Sequence, residues 1–270
     1  MSDWTTHTTG GIEYLERPGT GETIVLLHGI GSQAMSFTPL LAHLPRTARV
    51  IAWNAPGYGG SEPLEDDWPE ARDYAVKLRD LVDALELKAV TLVGHSLGAL
   101  MAASFAARNT NRVARLVLAS PALGHGMMRG AGLSSAAQAR IDDLERLGAE
   151  DFADARSAKL VHDPEAHPEA VAIVRDAMSK VRLPGYAQAA RMLAAGRLLD
   201  DAERLAVPTD VIVGAGDVVT PPEGARRAHA AIPARARGTL TIVPDAGHAL
   251  YQQAPAAFAA ALEQEPAPVK

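Results

Sequence analysis

Apolar positions along this chain fall into two alternating rhythms. Short, nearly continuous apolar runs occur at Thr23–His28 (TIVLLH), Arg49–Asn54 (RVIAWN), Ala89–Gly94 (AVTLVG), Val113–Ser120 (VARLVLAS), Thr209–Gly214 (TDVIVG) and Gly238–Val243 (GTLTIV). Runs this brief and this apolar suit strands buried on both faces, as in a parallel sheet covered by helices on each side. Between them lie helical patterns over Met35–Leu44, Ala71–Leu85, Leu97–Arg108, Glu223–Ala231 and Pro255–Gln264. Strand–helix alternation implies right-handed crossovers and an α/β fold with a mostly parallel central sheet flanked by helices. The first 20 residues predict one antiparallel edge hairpin turning at Gly10-Gly11.

The alternation stops between about Leu123 and Ala206. That stretch predicts helices only, over Ser134–Leu147, Asp151–Val161, Pro168–Val181 and Tyr186–Ala195, punctuated by Gly148, Pro164, Pro168, Pro184 and Gly196. Glycine and proline there serve as helix stops and starts. A helical insertion of this kind predicts a cap over the sheet edge. The expected organisation is residues 1–122 and 207–270 as core and residues 123–206 as cap, with a Pro-rich frayed tail at Glu265–Lys270 (EPAPVK).

Composition narrows the chemistry. Of 270 residues, 47% are hydrophobic and 21% charged, a balance that supports a sizeable core. The net charge of −6, with no block of like charges, argues against nucleic-acid binding and against a basic membrane patch. With no cysteine, disulfides, thiolate metal sites and a cysteine nucleophile are excluded. The N-terminal stretch has no signal-peptide pattern, and no apolar run reaches the roughly 18 residues of a spanning helix. These features predict a cytoplasmic protein acting on a small molecule without a membrane; they leave a homodimer open.

The sharpest motif is Gly94-His95-Ser96-Leu97-Gly98, set directly after a predicted strand and before a predicted helix. A serine hydroxyl is a poor nucleophile until it is exposed and given a base. A tight strand-to-helix turn lifts the side chain clear of the sheet, and the close approach it forces requires small residues two before and two after. For the base, nine histidines compete, and position selects His248 in Pro244-Asp245-Ala246-Gly247-His248, just past the last strand. Loops there reach the C-terminal sheet edge, where ligands gather in open α/β sheets. An imidazole base needs a carboxylate to fix its tautomer and stabilise its charge. Asp217 fits, following a strand in Gly214-Ala215-Gly216-Asp217-Val218-Val219-Thr220-Pro221, whereas Ser120-Pro121-Ala122-Leu123 offers no acid and Asp245 sits on the histidine's own loop. His28-Gly29-Ile30-Gly31 follows the first buried strand and suggests an oxyanion hole built from the backbone amides of Ile30 and Leu97. No metal or organic cofactor is required by such acyl chemistry.

With these motifs placed, the sequence resembles the α/β-hydrolase superfamily from about Ile12 to Leu262. The resemblance rests on HGIG at His28–Gly31, NAPGYGGS at Asn54–Ser61, GHSLG at Gly94–Gly98, GAGDVVTP at Gly214–Pro221 and DAGHALYQQAP at Asp245–Pro255. It looks like the branch of small capped esterases, lactonases and carbon–carbon bond hydrolases. The resemblance implies a Ser96–His248–Asp217 triad cleaving a carboxylic ester or lactone through an acyl-enzyme. One departure stands out: the family usually has aspartate where Asn54 stands. A serine at the elbow argues against the aspartate-dependent dehalogenases and epoxide hydrolases of this fold.

Two rival readings share the motifs. A carbon–carbon bond hydrolase of vinylogous diketo acids uses the same triad, with a longer glycine-rich segment than His28–Ser32. A small-molecule receptor on the same fold would trigger partner binding instead of turning over. Within the predicted cap, Met127, Tyr186 and Met192 are candidate substrate-binding residues, joined by Met128, Leu133, Leu183 and Leu193. The same side chains serve equally to pack the helices on one another. Arg191 and Arg197 fit a solvated helix face better than a carboxylate clamp, and His95, His125 and His162 read as structural or exposed.

Overall fold

The computed structural model describes residues 4–263. The tail expected to fray at 265–270 and the last residue of the final predicted helix, Gln264, lie outside the described residues. Eight strands form one sheet: β1 (Thr5–Thr9), β2 (Ile12–Arg17), β3 (Thr23–Leu27), β4 (Arg49–Trp53), β5 (Val90–His95), β6 (Val113–Ala119), β7 (Thr209–Gly214) and β8 (Arg237–Val243). Their order is β1-β2-β4-β3-β5-β6-β7-β8. Neighbours from β4 through β8 run parallel, while β1, β2 and β4 pair antiparallel. The hairpin β1–β2 turns at Gly10 and Gly11, both at positive φ, where Thr9 faces Ile12 across a two-residue loop.

The helices are α1 (Thr38–Leu41), α2 (Ala71–Ala84), α3 (Leu97–Ala106), α4 (Ser135–Arg156), α5 (Pro168–Met178), α6 (Gly185–Ala195), α7 (Leu198–Ala202), α8 (Pro222–Ala231), α9 (Leu250–Gln253) and α10 (Pro255–Glu263); α4, α5 and α6 pack mainly on one another and on neighbouring turns and helices. The period-2 alternation of the buried strands splits the core into two layers. Val25, Leu27, Ile51 and Trp53 face one way and pack with Leu78, Leu100 and Phe105 of α2 and α3. Ile24, Leu26, Val50 and Ala52 face the other way, against Leu40, Tyr251 and Phe258. Because both faces are covered, the strands must be apolar throughout, which is why they read as continuous runs.

Three predicted helices took a different form. Met35–Leu44 is a 3₁₀ turn, Ala34–Phe37, followed by the short α1. Pro39 stands in the first turn of α1, where its missing N–H is tolerated, so the α-helix starts afresh there instead of running through. Ser134–Leu147 and Asp151–Val161 join as α4, interrupted at Gly148 with φ 76 and ψ 168, before a 3₁₀ turn at Ser157–Leu160. Helices α4 to α7 all lie between β6 and β7 in the chain and contribute no strand. Among the described residues, no helix is long and apolar enough to cross a membrane.

Candidate active site

The turn between β5 and α3 is strained at its serine. Ser96 has φ 53 and ψ −114, a backbone geometry that costs on the order of 1–3 kcal/mol for a side chain with a Cβ. The motif's two outer glycines explain how it is accommodated. A Cβ on Gly98 would stand 2.4 Å from the Leu27 carbonyl oxygen, and one on Gly94 would stand 2.4 Å from the Gly98 oxygen. Helix α3 therefore sits directly on β3 and β5, and Ser96 is projected at the sheet's C-terminal edge. Gly29 lies against it, since a Cβ there would come within 2.9 Å of the Ser96 Cβ.

Three side chains from three separate loops meet at this edge. The Ser96 hydroxyl Oγ is 3.0 Å from Nε2 of His248, and Nδ1 of His248 is 2.9 Å from Oδ2 of Asp217. A carboxylate only accepts, so Nδ1 carries the proton and Nε2 presents its lone pair to the serine. All three residues are buried. Asp217 is the end of a small network: its Oδ1 accepts from the amides of Val219 and Thr220 at 2.9 and 2.8 Å, and the Thr220 hydroxyl lies 2.9 Å from its Oδ2. Burial pushes the Asp217 carboxyl up, but the hydrogen bond and charge of His248 and the donors of Thr220 together outweigh it. The group stays below the ordinary carboxylate range.

Two further histidines brace the site. His95 Nε2 donates to the carbonyl oxygen of His248 at 2.8 Å, holding the backbone of the histidine loop. His28 Nδ1 donates to the Gly29 oxygen at 2.9 Å while its Nε2 accepts from the Ala55 amide at 3.0 Å, which fixes the His28–Gly31 turn. Burial first, then the nearby His248 charge, lowers His95 to about 3, and burial lowers His28 to about 4, so both are neutral braces. The histidine loop is also clamped from its far side. Gln253 Oε1 accepts from the amides of Gly247 and His162, its Nε2 donates to the His162 oxygen, and the Ala249 amide donates to Leu160. Leu97 directly follows the serine and Ile30 follows Gly29, which packs against it; neither amide bonds to a carbonyl or side chain among the described residues.

A family model described as the alpha/beta hydrolase family matches residues 24–261. This chain belongs to that family. The hydrolase is 30% identical to the uncharacterized protein Rv2715 of Mycobacterium tuberculosis, over 89% of this chain and 74% of that protein. It is 36% identical to 2-hydroxy-6-oxo-2,4-heptadienoate hydrolase of Pseudomonas putida, over 40% of this chain and 41% of that enzyme. Among solved structures, a malate-bound thermophilic esterase from Thermogutta terrifontis superposes with a TM-score of 0.80 at 26% identity, covering 96% of this chain and 95% of that one.

One cleft reaches the serine, and two neighbouring clefts share lining residues with it. The first, of about 250 Å³, is lined by Ser96, Leu123, His125, Leu193, Val219 and Thr220. A second of about 160 Å³ includes Ile30, Ala190 and Leu193, and a third of about 140 Å³ includes Ile30, Phe152, Met178, Tyr186 and His248. Of the candidate substrate residues, Tyr186 and Leu193 border these clefts, Tyr186 packed edge-on against Phe152 at 5.3 Å. Met127 belongs elsewhere: it lines a separate cleft of about 440 Å³ beside Glu70 and Arg108, which no triad residue touches. Met192 is fully buried in the core and lines none of the clefts. Met127 lies in the irregular stretch between β6 and α4 and Met192 on α6, and the sequence does not tell which neighbours either one meets. Arg191 and Arg197 each donate to a backbone oxygen, of Asp67 and Gly126.

Sequence reasoning passed over three residues. Thr220 follows Asp217 within its motif, and a hydroxyl three residues after an acid is a local pattern that could have been found. His28 opens the glycine turn and could have been read as its brace. Arg140 lines all three clefts but lies in no motif.

Proposed function

We propose that this hydrolase cleaves a carboxylic ester or lactone of a small molecule through a Ser96 acyl-enzyme. The observation that carries the proposal is the continuous chain from Ser96 Oγ through His248 to Asp217, with contacts of 3.0 and 2.9 Å. His248 Nε2 takes the hydroxyl proton as Oγ attacks the carbonyl carbon. The oxyanion settles against the Ile30 and Leu97 amides, the latter at the N-terminus of α3, where the helix dipole favours negative charge. Collapse breaks the ester bond, and the imidazolium gives its proton to the departing alkoxide. Water repeats the sequence, so that ester and water become acid and alcohol. Asp217, held anionic by Thr220 and His248, stabilises the transient imidazolium. The helical insertion serves as the cap that closes over this edge and selects the acyl group.

Labelling with a fluorophosphonate, read by the mass of the peptide containing residue 96, tests the assignment. Ser96→Ala is expected to lose the label and to cut p-nitrophenyl ester turnover by roughly 10³-fold or more. An unlabelled parent, or a variant that keeps most of its activity, overturns the proposal. Many turnovers per molecule separate an enzyme from a receptor on the same fold.

The partial likeness to 2-hydroxy-6-oxo-2,4-heptadienoate hydrolase favours a second reading, cleavage of a carbon–carbon bond in a vinylogous diketo acid by the same triad. The dienol chromophore of such a substrate is consumed on cleavage, which decides between the two in one spectrophotometric run.

A further inference from the structure

The cleft at Ser96 and its two neighbours are electrically lopsided. They are lined by Arg140, Arg156, Lys159 and His125, together with apolar side chains, and by no aspartate or glutamate. In a chain of net charge −6 this is a local reversal. The cations differ in how they are held. Arg156 donates to Asp143 at 2.9 Å and lies over the Phe152 ring, so its charge is partly spent. Lys159 is exposed at the rim. Arg140 alone borders all three clefts.

Arg140 is also set apart from its neighbours in the insertion. Eight arginines lie between residues 129 and 197. Arg129, Arg146, Arg156 and Arg175 pair with aspartates, and Arg182, Arg191 and Arg197 donate to backbone oxygens. Arg140 has neither an ion pair nor a hydrogen bond among the described residues, although it is half-buried. A guanidinium taken partly out of water and left unpaired is unfavourable unless an anion completes it, and its planar fork matches a carboxylate.

Resting on the hydrolase reading above, we infer that the substrate is a small ester or lactone carrying a free carboxylate, and that Arg140 binds that carboxylate. The space suits the class. A cleft of about 250 Å³ at the serine accepts a short-chain acyl group, and the adjoining clefts leave room for a second functional group. The walls supplied by Leu123, Leu193 and Val219 hold the hydrocarbon link between the two. Arg140 acts on specificity through binding and takes no part in the bond changes at Ser96.

The test compares two p-nitrophenyl esters of similar length, the neutral butyrate and the anionic hemisuccinate. The parent is expected to favour the hemisuccinate in kcat/KM by about tenfold or more, a preference that shrinks with added salt. In Arg140→Gln that preference falls by about tenfold or more, mainly through KM for the anionic ester; Arg140→Lys retains part of it, and Arg140→Glu reverses it. Thermal melts establish that each variant is folded. A parent that turns over the butyrate as well as the hemisuccinate overturns the inference, as does an Arg140→Gln variant with the parent's ratio. If neither ester is cleaved and a fluorophosphonate fails to label Ser96, the hydrolase reading itself fails. If labelling and butyrate cleavage persist without an Arg140-dependent ratio, only the carboxylate inference falls.

Discussion

Asparagine at position 54, where the family resemblance leads to an expectation of aspartate, is matched to a partner elsewhere in the chain. Asn54 is buried; its Oδ1 accepts from the Ala34 amide at 2.8 Å and its Nδ2 donates to Glu13 Oε1 at 2.6 Å. The same Glu13 oxygen accepts from the Gly60 amide at 2.8 Å. Asn54→Asp would replace a donor by an anion facing another anion. For charges about 4 Å apart at an effective dielectric near 20, the repulsion is about 4 kcal/mol. A bound proton offers an escape whose cost above a carboxylate's ordinary value is about 1.4 kcal/mol per pH unit. At pH 8 both routes are expensive, and the variant should lose about 4 kcal/mol, or roughly 10 °C in Tm for a domain of this size. At pH 5 proton uptake limits the loss to about 1 kcal/mol. The folded variant carries a raised carboxylate pKa, so it binds more protons than the unfolded chain, and its deficit must grow as pH rises. Thermal melts of parent and variant between pH 5 and 8 measure this. Adding Glu13→Gln to Asn54→Asp should recover at least half of the deficit. A pH-independent deficit, or no recovery in the double variant, would refute the view that Glu13 dictates asparagine here.

Two further substitution and pH outcomes follow from the site's surroundings. Gly98→Ala places a Cβ 2.4 Å from the Leu27 oxygen, so α3 must lift from β3. A loss of about 3 kcal/mol or more in urea unfolding is expected, with most activity gone; near-parent stability would show that the contact relaxes. His95 and His28 are neutral in the fold, near 3 and 4, against 6.5 in the unfolded chain, so the unfolded state binds more protons below pH 6.5. Each should remove about 2 kcal/mol of stability between pH 8 and pH 5, levelling only once the folded groups protonate. His95→Gln, which can still donate to the His248 oxygen, should halve that loss; an unchanged slope would exonerate His95.

The sheet was legible because strands buried on both faces leave no choice of residue, and Thr209–Gly214 came out with the ends expected of it. That Ser96, Asp217 and His248 would meet was legible for a related reason. Each sits a fixed short distance past a strand, and in a parallel sheet all strands end at the same edge. The insertion obeyed no such rule. Its helices could be drawn, but which face of α4 or α6 overlies the serine depends on packing between segments far apart in sequence. That is why Met192, which reads as pocket, lies in the core, and why nothing in the sequence singles out Arg140. The break at Thr38 was within reach, since Pro39 stands inside the apolar pattern.

The clamp made by Gln253 carries a consequence for motion. One amide side chain ties Gly247, beside His248, to His162 in the segment joining α4 to α5. That corner of the insertion and the His248 loop therefore travel as one piece. Any widening that admits a bulky guest must hinge at the opposite flank, on the stretches leading out of β6 and back into β7, or it would carry the imidazole away from the serine.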